Sequence, residues 1–167
     1  VENTLQTNGL LLDDEWCSLL SDAHFLVGLS IDGPAEHHDR YRVDRRGRGS
    51  YAQVAGVAER LARHGVETNA MVLLTEQSAA DVGALWESLL DLGLRHLQFI
   101  PCLEVDPEKA DAWTPFSLRP ESYGRVLCEL FDRWRGSYRD GRPTVYVRFF
   151  EALLFGYIDR PVPLCWM

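Results

Sequence analysis

Charged residues of several kinds follow the most apolar short segment of the chain. Residues 25–31 have the length of a strand, and Asp32, Gly33 and Pro34 end it, because proline cannot continue a strand ladder. Residues 38–42 (His-Asp-Arg-Tyr-Arg) then combine an imidazole, a carboxylate and two guanidinium groups. An arginine here could bind a ligand carboxylate through two parallel hydrogen bonds. A single His-Asp pair in a loop more often anchors the loop than binds a metal, so we favour an anion-binding site over a metal site.

Other polar residues stand where predicted strands end. They are Gln6, Thr7 and Asn8 at the end of the first strand, Ser30 and Asp32 around the end of the second, and Gln98 in the fourth. Each alone is explained by turn chemistry, since Asn-Gly and Asp-Gly are common turn pairs. The carboxyl ends of parallel strands meet at one edge, however, and there these side chains would converge on one cleft.

The apolar pattern places those loops on an alternating α/β framework. It predicts strands at residues 2–6, 25–31, 67–74, 96–100 and 144–147, with helices at 13–23, 50–64, 78–92, 120–137 and 149–157. Ser50 and the Ser78/Asp81 pair are predicted helix caps, and glycines 65 and 93 mark helix ends. Right-handed crossovers between such strands give a parallel sheet, either open or curled into a barrel. Residues 32–49 and 101–118 are predicted to be long loops.

The core is predicted from residues at helical spacing. In the first helix we expect Trp16, Leu19 and Leu20 to face inward. Cys17 of the same helix and Cys128 of the helix at 120–137 are expected to pack as small core residues. The second long helix carries an i, i+3, i+4, i+7 stripe, which consists of Val54, Val57, Ala58 and Leu61.

The overall composition narrows the classes of function. The 167 residues are 46% hydrophobic and carry a net charge of −8, which argues against a nucleic-acid or anionic-membrane partner. Five arginines between residues 40 and 48 form a local basic patch, for which a solvated loop is the alternative explanation. No apolar run approaches the roughly 20 residues of a membrane span. The four cysteines are widely spaced, as is typical of a reduced, cytoplasmic setting.

Four segments, in chain order, resemble the anaerobic sulfatase-maturating enzymes, which are radical S-adenosylmethionine (SAM) enzymes with a SPASM-type C-terminal extension. The segments are Gln6-Thr7-Asn8-Gly9, Ser30-Ile31-Asp32-Gly33-Pro34, His38-Asp39-Arg40-Tyr41-Arg42 and Gln98-Phe99-Ile100-Pro101. The second and third segments resemble a pair shared by many SPASM-type peptide maturases, whereas the fourth points more specifically to sulfatase maturation. The resemblance implies a partial (β/α)6 TIM-like barrel, of which this chain would form strands 3 to 6. Residues 1–140 would be the C-terminal part of that barrel, and residues 141–167 a connection to an auxiliary-cluster domain.

The resemblance also implies a chemistry. In the family, a [4Fe-4S] cluster cleaves S-adenosylmethionine, and the resulting radical removes hydrogen from the Cβ of a sulfatase Cys or Ser. Loss of a second electron and hydrolysis then give Cα-formylglycine. By the same resemblance Ser30, Arg42, Leu103 and Asn8 hold S-adenosylmethionine, Cys165 binds an auxiliary [4Fe-4S] cluster, and Asp32 and Asp39 anchor their loop. The implied partners are a sulfatase polypeptide and a flavodoxin- or ferredoxin-like electron donor.

The sequence departs from the family in one decisive respect. It has no CxxxCxxC motif, which ligates the radical cluster, and no Gly-Gly-Glu segment. We therefore expect a central fragment that contains no catalytic residue, is inactive alone and self-associates through exposed strand edges. Two alternatives stay open: another SPASM-type maturase of ribosomal peptides, and a cluster-free remnant that binds a peptide. The sequence decides neither the target sulfatase nor whether its modified residue is Cys or Ser.

Overall fold

Strands and helices alternate through residues 3–109 and 112–160, which are the residues that the computed structural model describes. The first half comprises β1 (Asn3–Thr7), α1 (Asp14–Asp22), β2 (Phe25–Ser30), α2 (Ala35–Tyr41), α3 (Tyr51–Arg63) and β3 (Glu67–Leu74). The second half comprises α4 (Val82–Asp91), β4 (His96–Pro101), α5 (Pro120–Gly136), β5 (Tyr138–Arg139), β6 (Arg142–Pro143), β7 (Tyr146–Val147) and α6 (Arg148–Tyr157).

The main sheet has five parallel strands in the order β1-β2-β3-β4-β7, and β5 and β6 form a separate antiparallel pair. The predicted α/β class with a parallel sheet is confirmed. Neighbours in the sheet follow chain order, which is the winding of a barrel segment. Strand β7 pairs with β4, so residues 146–147 of the predicted connecting segment lie in the same sheet. The division of the chain at residue 140 stays a prediction.

The two faces of the sheet differ in chemistry. Val27 and Leu29 of β2 are fully buried in the core shared with the helices. Because side chains alternate along a strand, Gly28 and Ser30 lie on the opposite face, where the register pairs them with Asn69 and Met71 of β3. This second face is the more polar one, and it borders the cavities described below.

Helix α3 carries the predicted core stripe, and all four of its members are buried. Both predicted helix ends are confirmed as well. Gly65 and Gly93 follow α3 and α4 with φ angles of +67° and +76°, which glycine adopts without a Cβ penalty.

Two expectations about the core were wrong. On α1, Trp16 and Leu19 are 49% and 54% exposed, while Cys17 and Leu20 are buried. Cys17 and Leu20 are three positions apart on the helix, so they share a face that Trp16 and Leu19 do not. On α5 the buried stripe comprises Val126, Leu130 and Trp134, and Cys128 lies on the exposed side.

Ser50 holds the predicted N-cap position of α3, whereas the predicted Ser78/Asp81 capping box is wrong, because the Ser78 hydroxyl bonds to Thr75. Ser50 makes no side-chain cap bond, and the Asp39 carboxylate accepts from the Tyr51 amide at 2.7 Å instead. Helix α4 begins at Val82 and is capped by Asp81.

The segment 32–49, predicted as an irregular loop, contains α2. Pro34 precedes this helix, and its carbonyl accepts hydrogen bonds from the amides of His37 and His38 at 3.0 Å. The helix was missed because its seven residues are mostly charged or polar and present no apolar stripe. A β-bridge between Val43 and Gly49 then returns the chain to α3.

Candidate functional site

A cavity of about 190 Å³ lies at the carboxyl ends of β1 and β2. Its lining includes Asn8, Ser30 and Arg42, which are three of the four residues that sequence reasoning assigned to the cofactor. The remaining lining residues are Leu10, His38, Val43, Ser50 and Val54. The structure therefore brings together side chains from the first strand end, the second strand end and the loop that follows α2.

Asn8 reaches this cavity because the chain turns sharply after β1. Gly9 has a φ angle of +78°, and a Cβ there would lie 2.8 Å from Leu29 Cδ1, so the turn passes close to the core. The Asn8 Oδ1 accepts from the Leu10 amide at 3.2 Å. This bond leaves the Asn8 Nδ2 as a hydrogen-bond donor for a ligand.

Ser30 is the last residue of β2 and lies on the polar face of the sheet. The following amide, that of Ile31, donates to the Met71 carbonyl at 3.1 Å, so the strand end is held against β3. A hydroxyl both donates and accepts hydrogen bonds, and Ser30 could therefore bind a ribose hydroxyl or an amino-acid group.

Arg42 is held by a two-point contact with Asp32. Its Nε donates to Asp32 Oδ2, and its Nη2 donates to Asp32 Oδ1 at 3.2 Å. The Asp32 Oδ1 also accepts from the Leu73 amide at 2.9 Å, which connects the ion pair to β3. Asp32 is buried, whereas the Arg42 side chain keeps 30% exposure. The arginine thus brings a positive charge to the cavity while the buried Asp32 carboxylate holds it in place.

His38 lies beneath the cavity and is completely buried. Its Nδ1 accepts from the Asp32 amide at 3.2 Å, which places the ring proton on Nε2, 3.1 Å from Ser50 Oγ. Ser50 in turn donates to the Arg42 carbonyl at 2.8 Å. Burial lowers the pKa of His38 below its ordinary value of 6.5, and the Arg42 guanidinium acts in the same direction, against the two nearby carboxylates. A neutral imidazole therefore connects both ends of the loop.

Asp39 fixes the entrance to α3. Besides capping Tyr51, it lies so close to Gly49 that a Cβ there would be 2.1 Å from Asp39 Cγ. Asp32 and Asp39 are both loop anchors in the structure, as the sequence predicted. Sequence reasoning missed Gly49, although a glycine directly before a helix-initiating serine is a signal of close packing.

Leu103 does not join the other three cofactor candidates. It follows β4, is 64% exposed and is not part of the cavity lining. Cys165, the predicted auxiliary-cluster ligand, lies outside the described residues.

A second cavity, of about 250 Å³, lies along the polar face of the sheet. Sequence reasoning missed one of its lining residues, Asn69, whose Nδ2 donates to the Gln98 Oε1 at 3.4 Å. The available signal was an asparagine directly before the apolar run 70–74 of β3.

The described residues do not fit an iron–sulfur cluster. Nowhere in residues 3–109 and 112–160 do three His, Cys, Asp or Glu side chains gather as a metal site requires. Cys17 and Cys102 are buried, and burial raises the pKa of both thiols, which opposes thiolate ligation. The first cavity, in contrast, offers a guanidinium, a hydroxyl and a carboxamide, a set of groups that suits a zwitterionic nucleoside.

The comparison with known protein families identifies the class. The model of the Radical SAM superfamily matches residues 1–89, more than half of the chain, and the chain belongs to this superfamily.

Individual relatives make the resemblance more specific. A serine-type anaerobic sulfatase-maturating enzyme from Bacteroides thetaiotaomicron is 31% identical over 100% of this chain and 43% of its own length. A cysteine-type anaerobic sulfatase-maturating enzyme from Clostridium perfringens is 36% identical over 92% of this chain and 41% of its own. The solved structure of native anSMEcpe with bound AdoMet and Cp18Cys peptide covers 98% of this chain with a TM-score of 0.89 and 35% identity. The chain spans less than half the length of each of these relatives.

Proposed function

We propose that this chain is the S-adenosylmethionine-holding part of an anaerobic sulfatase-maturating enzyme, which oxidises a Cys or Ser of a sulfatase to Cα-formylglycine. One observation carries the proposal: Asn8, Ser30 and Arg42, from three separate segments, line one cavity at the strand ends. The match to a solved relative with bound AdoMet and peptide supports it.

Each polar group of the cavity has a role in this proposal. Arg42 pairs with the methionyl carboxylate, because a guanidinium presents parallel donors to two carboxylate oxygens. Ser30 and Asn8 bind hydroxyl or amino groups of the same ligand. When bound beside a reduced [4Fe-4S] cluster, S-adenosylmethionine supplies the radical that takes hydrogen from the target Cβ.

The remaining site assignments extend the proposal beyond the cavity. Leu103 packs against the bound cofactor from the loop after β4, where its exposed side chain is available for a ligand. Cys165 ligates an auxiliary [4Fe-4S] cluster, and the radical cluster takes its ligands from outside this sequence, which has no CxxxCxxC motif.

The proposed partners are a sulfatase polypeptide, a flavodoxin- or ferredoxin-like electron donor, and a second copy of the chain. In the described part of the chain, no helix has the length and apolar character that a membrane span needs. We propose a cytoplasmic location, which also suits oxygen-sensitive clusters and unpaired cysteines.

The test is anaerobic reconstitution of the protein with its natural flanking sequence. Iron and sulfide are measured first, and the protein is then incubated with S-adenosylmethionine, a reductant and sulfatase peptides that carry Cys, Ser or Ala at the target position. We expect several iron atoms per chain and an aldehyde, captured by a hydrazide reagent, on the Cys or Ser peptide only. Iron without aldehyde on either peptide would favour another peptide maturase, and absence of iron would remove the catalytic assignment.

A further inference from the structure

The contact between Asp32 and Arg42 uses one particular edge of the guanidinium. Nε and Nη2 point along the same side of the group, and both donate to the Asp32 carboxylate. The adjacent end edge, formed by one hydrogen of Nη1 and the second hydrogen of Nη2, has the same spacing and can also bind a carboxylate through two hydrogen bonds. Arg42 can therefore hold Asp32 with one edge and a ligand with the other.

Asp32 is itself held from several directions. Its Oδ1 accepts from the Leu73 amide of β3 at 2.9 Å, and its own amide donates to His38 Nδ1 at 3.2 Å. The residue is only 7% exposed. A carboxylate fixed in this way removes rotamer freedom from the arginine before any ligand arrives, which lowers the entropic penalty of binding.

We propose that Asp32 is a positioning residue for cofactor recognition: it presents the Nη1–Nη2 edge of Arg42 to the methionyl carboxylate of S-adenosylmethionine. The inference rests on the proposed function, because it takes that cofactor as the ligand. Asp32 does not touch the cofactor in this arrangement and acts through Arg42 alone.

Charge and positioning predict opposite effects of Asp32→Asn on binding. Removal of a negative charge close to an anionic group strengthens binding by electrostatics alone. Loss of the two-point contact frees the Arg42 side chain and weakens binding. The asparagine Oδ1 still accepts from the Leu73 amide, so the strand end keeps its main connection.

The experiment measures equilibrium binding of S-adenosylmethionine and of 5′-methylthioadenosine, which lacks the aminoacyl carboxylate, to the protein with its natural flanking sequence. For Asp32→Asn we expect about tenfold weaker binding of S-adenosylmethionine and less than about twofold change for methylthioadenosine. Asp44→Asn is the matched control, since Asp44 pairs with Arg48 at 2.8 Å in the same loop without lining the cavity. We expect it to change neither affinity by more than about twofold.

A second measurement tests whether Asp32 acts through Arg42. In an Arg42→Lys background, which offers a point charge without an edge, Asp32→Asn should have no further effect on S-adenosylmethionine binding. If Asp32→Asn does not fold, Asp32→Glu replaces it, since one added methylene displaces Arg42 and is expected to weaken the same ligand selectively.

The outcomes separate this inference from the proposed function. Unchanged or tighter S-adenosylmethionine binding by the Asp32 variant would overturn it, as would equal weakening of both ligands, which indicates a merely structural role. Failure of the unaltered protein to bind S-adenosylmethionine would instead remove the proposed function.

Discussion

The loops that follow β2 and β4 both carry proposed cofactor residues, yet they are built in different ways. The loop after β2 is organised around buried polar groups, with His38 at 0% and Asp32 at 7% exposure. The loop after β4 exposes several large apolar residues, with Leu103 at 64% and Trp113 at 60%, although Leu118 at its end is buried. Arg42 of the first loop lines the cavity at the strand ends, whereas Leu103 of the second loop is not part of that lining.

The anchors of the two loops explain the difference. Asp32 connects the first loop to the neighbouring strand β3 through the Leu73 amide. The second loop is joined to β3 through its backbone, since the Cys102 amide donates to the Leu74 carbonyl at 2.8 Å. Farther along this loop, Ser117 accepts from the Glu104 amide at 2.8 Å and donates to its carbonyl at 2.7 Å. The first loop is thus attached to the sheet by the same carboxylate that holds Arg42, whereas the backbone bond of the second loop leaves Leu103 outside the cavity lining.

The largest effect should come from Arg42→Ala, which breaks the first loop at its ion pair. The variant removes the cation of the cavity and leaves the buried Asp32 carboxylate without its cationic partner, so we expect 10- to 100-fold weaker S-adenosylmethionine binding, about the worth of a charged hydrogen bond. Equilibrium binding of the radioactive cofactor measures this. Arg48→Ala, in the same loop but 69% exposed, is the control and should stay within about twofold. Equal losses in both variants would contradict the special role of Arg42.

A smaller effect is expected from crowding the same loop. Gly49→Ala places a Cβ 2.1 Å from Asp39 Cγ and should displace the cap of α3, with a loss of about 1–3 kcal/mol in the free energy of unfolding. Urea denaturation followed by circular dichroism gives this number. Gly56→Ala is the matched control within α3: a Cβ there meets nothing within 4 Å, so helix propensity should stabilise the protein by about 0.5–1 kcal/mol. A stable Gly49→Ala protein would show that the loop can adapt.

The buried imidazole makes the first loop sensitive to pH. Because the pKa of His38 is lower in the folded protein than its ordinary 6.5, the unfolded chain takes up a proton first as the pH falls. Stability should be level above about pH 6.5 and decline below it, by roughly 1 kcal/mol for each unit of pKa difference. Thermal unfolding between about pH 8 and about pH 5 measures the decline. His38→Gln should remove this slope, and a parallel decline in both proteins would refute the assignment.

The smallest effect should come from Leu103→Ala in the second loop. An exposed leucine contributes little to stability, so the free energy of unfolding should change by less than about 0.5 kcal/mol. We expect a two- to fivefold weaker binding of S-adenosylmethionine, about the worth of one methylene packed on the ligand. A loss as large as that of Arg42→Ala would mean that this loop closes over the cofactor, and the contrast between the two loops would then hold only without ligand.

The order of elements could be predicted from the sequence because its signals are local. Runs of apolar residues gave the strands, the i, i+3, i+4, i+7 stripe gave the buried face of α3, and Gly65 and Gly93 gave two helix ends. The same local reasoning placed Asn8 and Ser30 at strand ends, and a parallel sheet necessarily brings such ends together.

Only the tertiary structure decided which partner each polar side chain takes. It turned Trp16 and Leu19 away from the core, joined Ser50 to His38 instead of to its own helix, and left Leu103 outside the cavity. It also brought Asp32 to the Leu73 amide, 41 positions away in the chain. Choices of this kind depend on the distances and burial that arise when separate βα units pack together, and no short stretch of sequence contains that information.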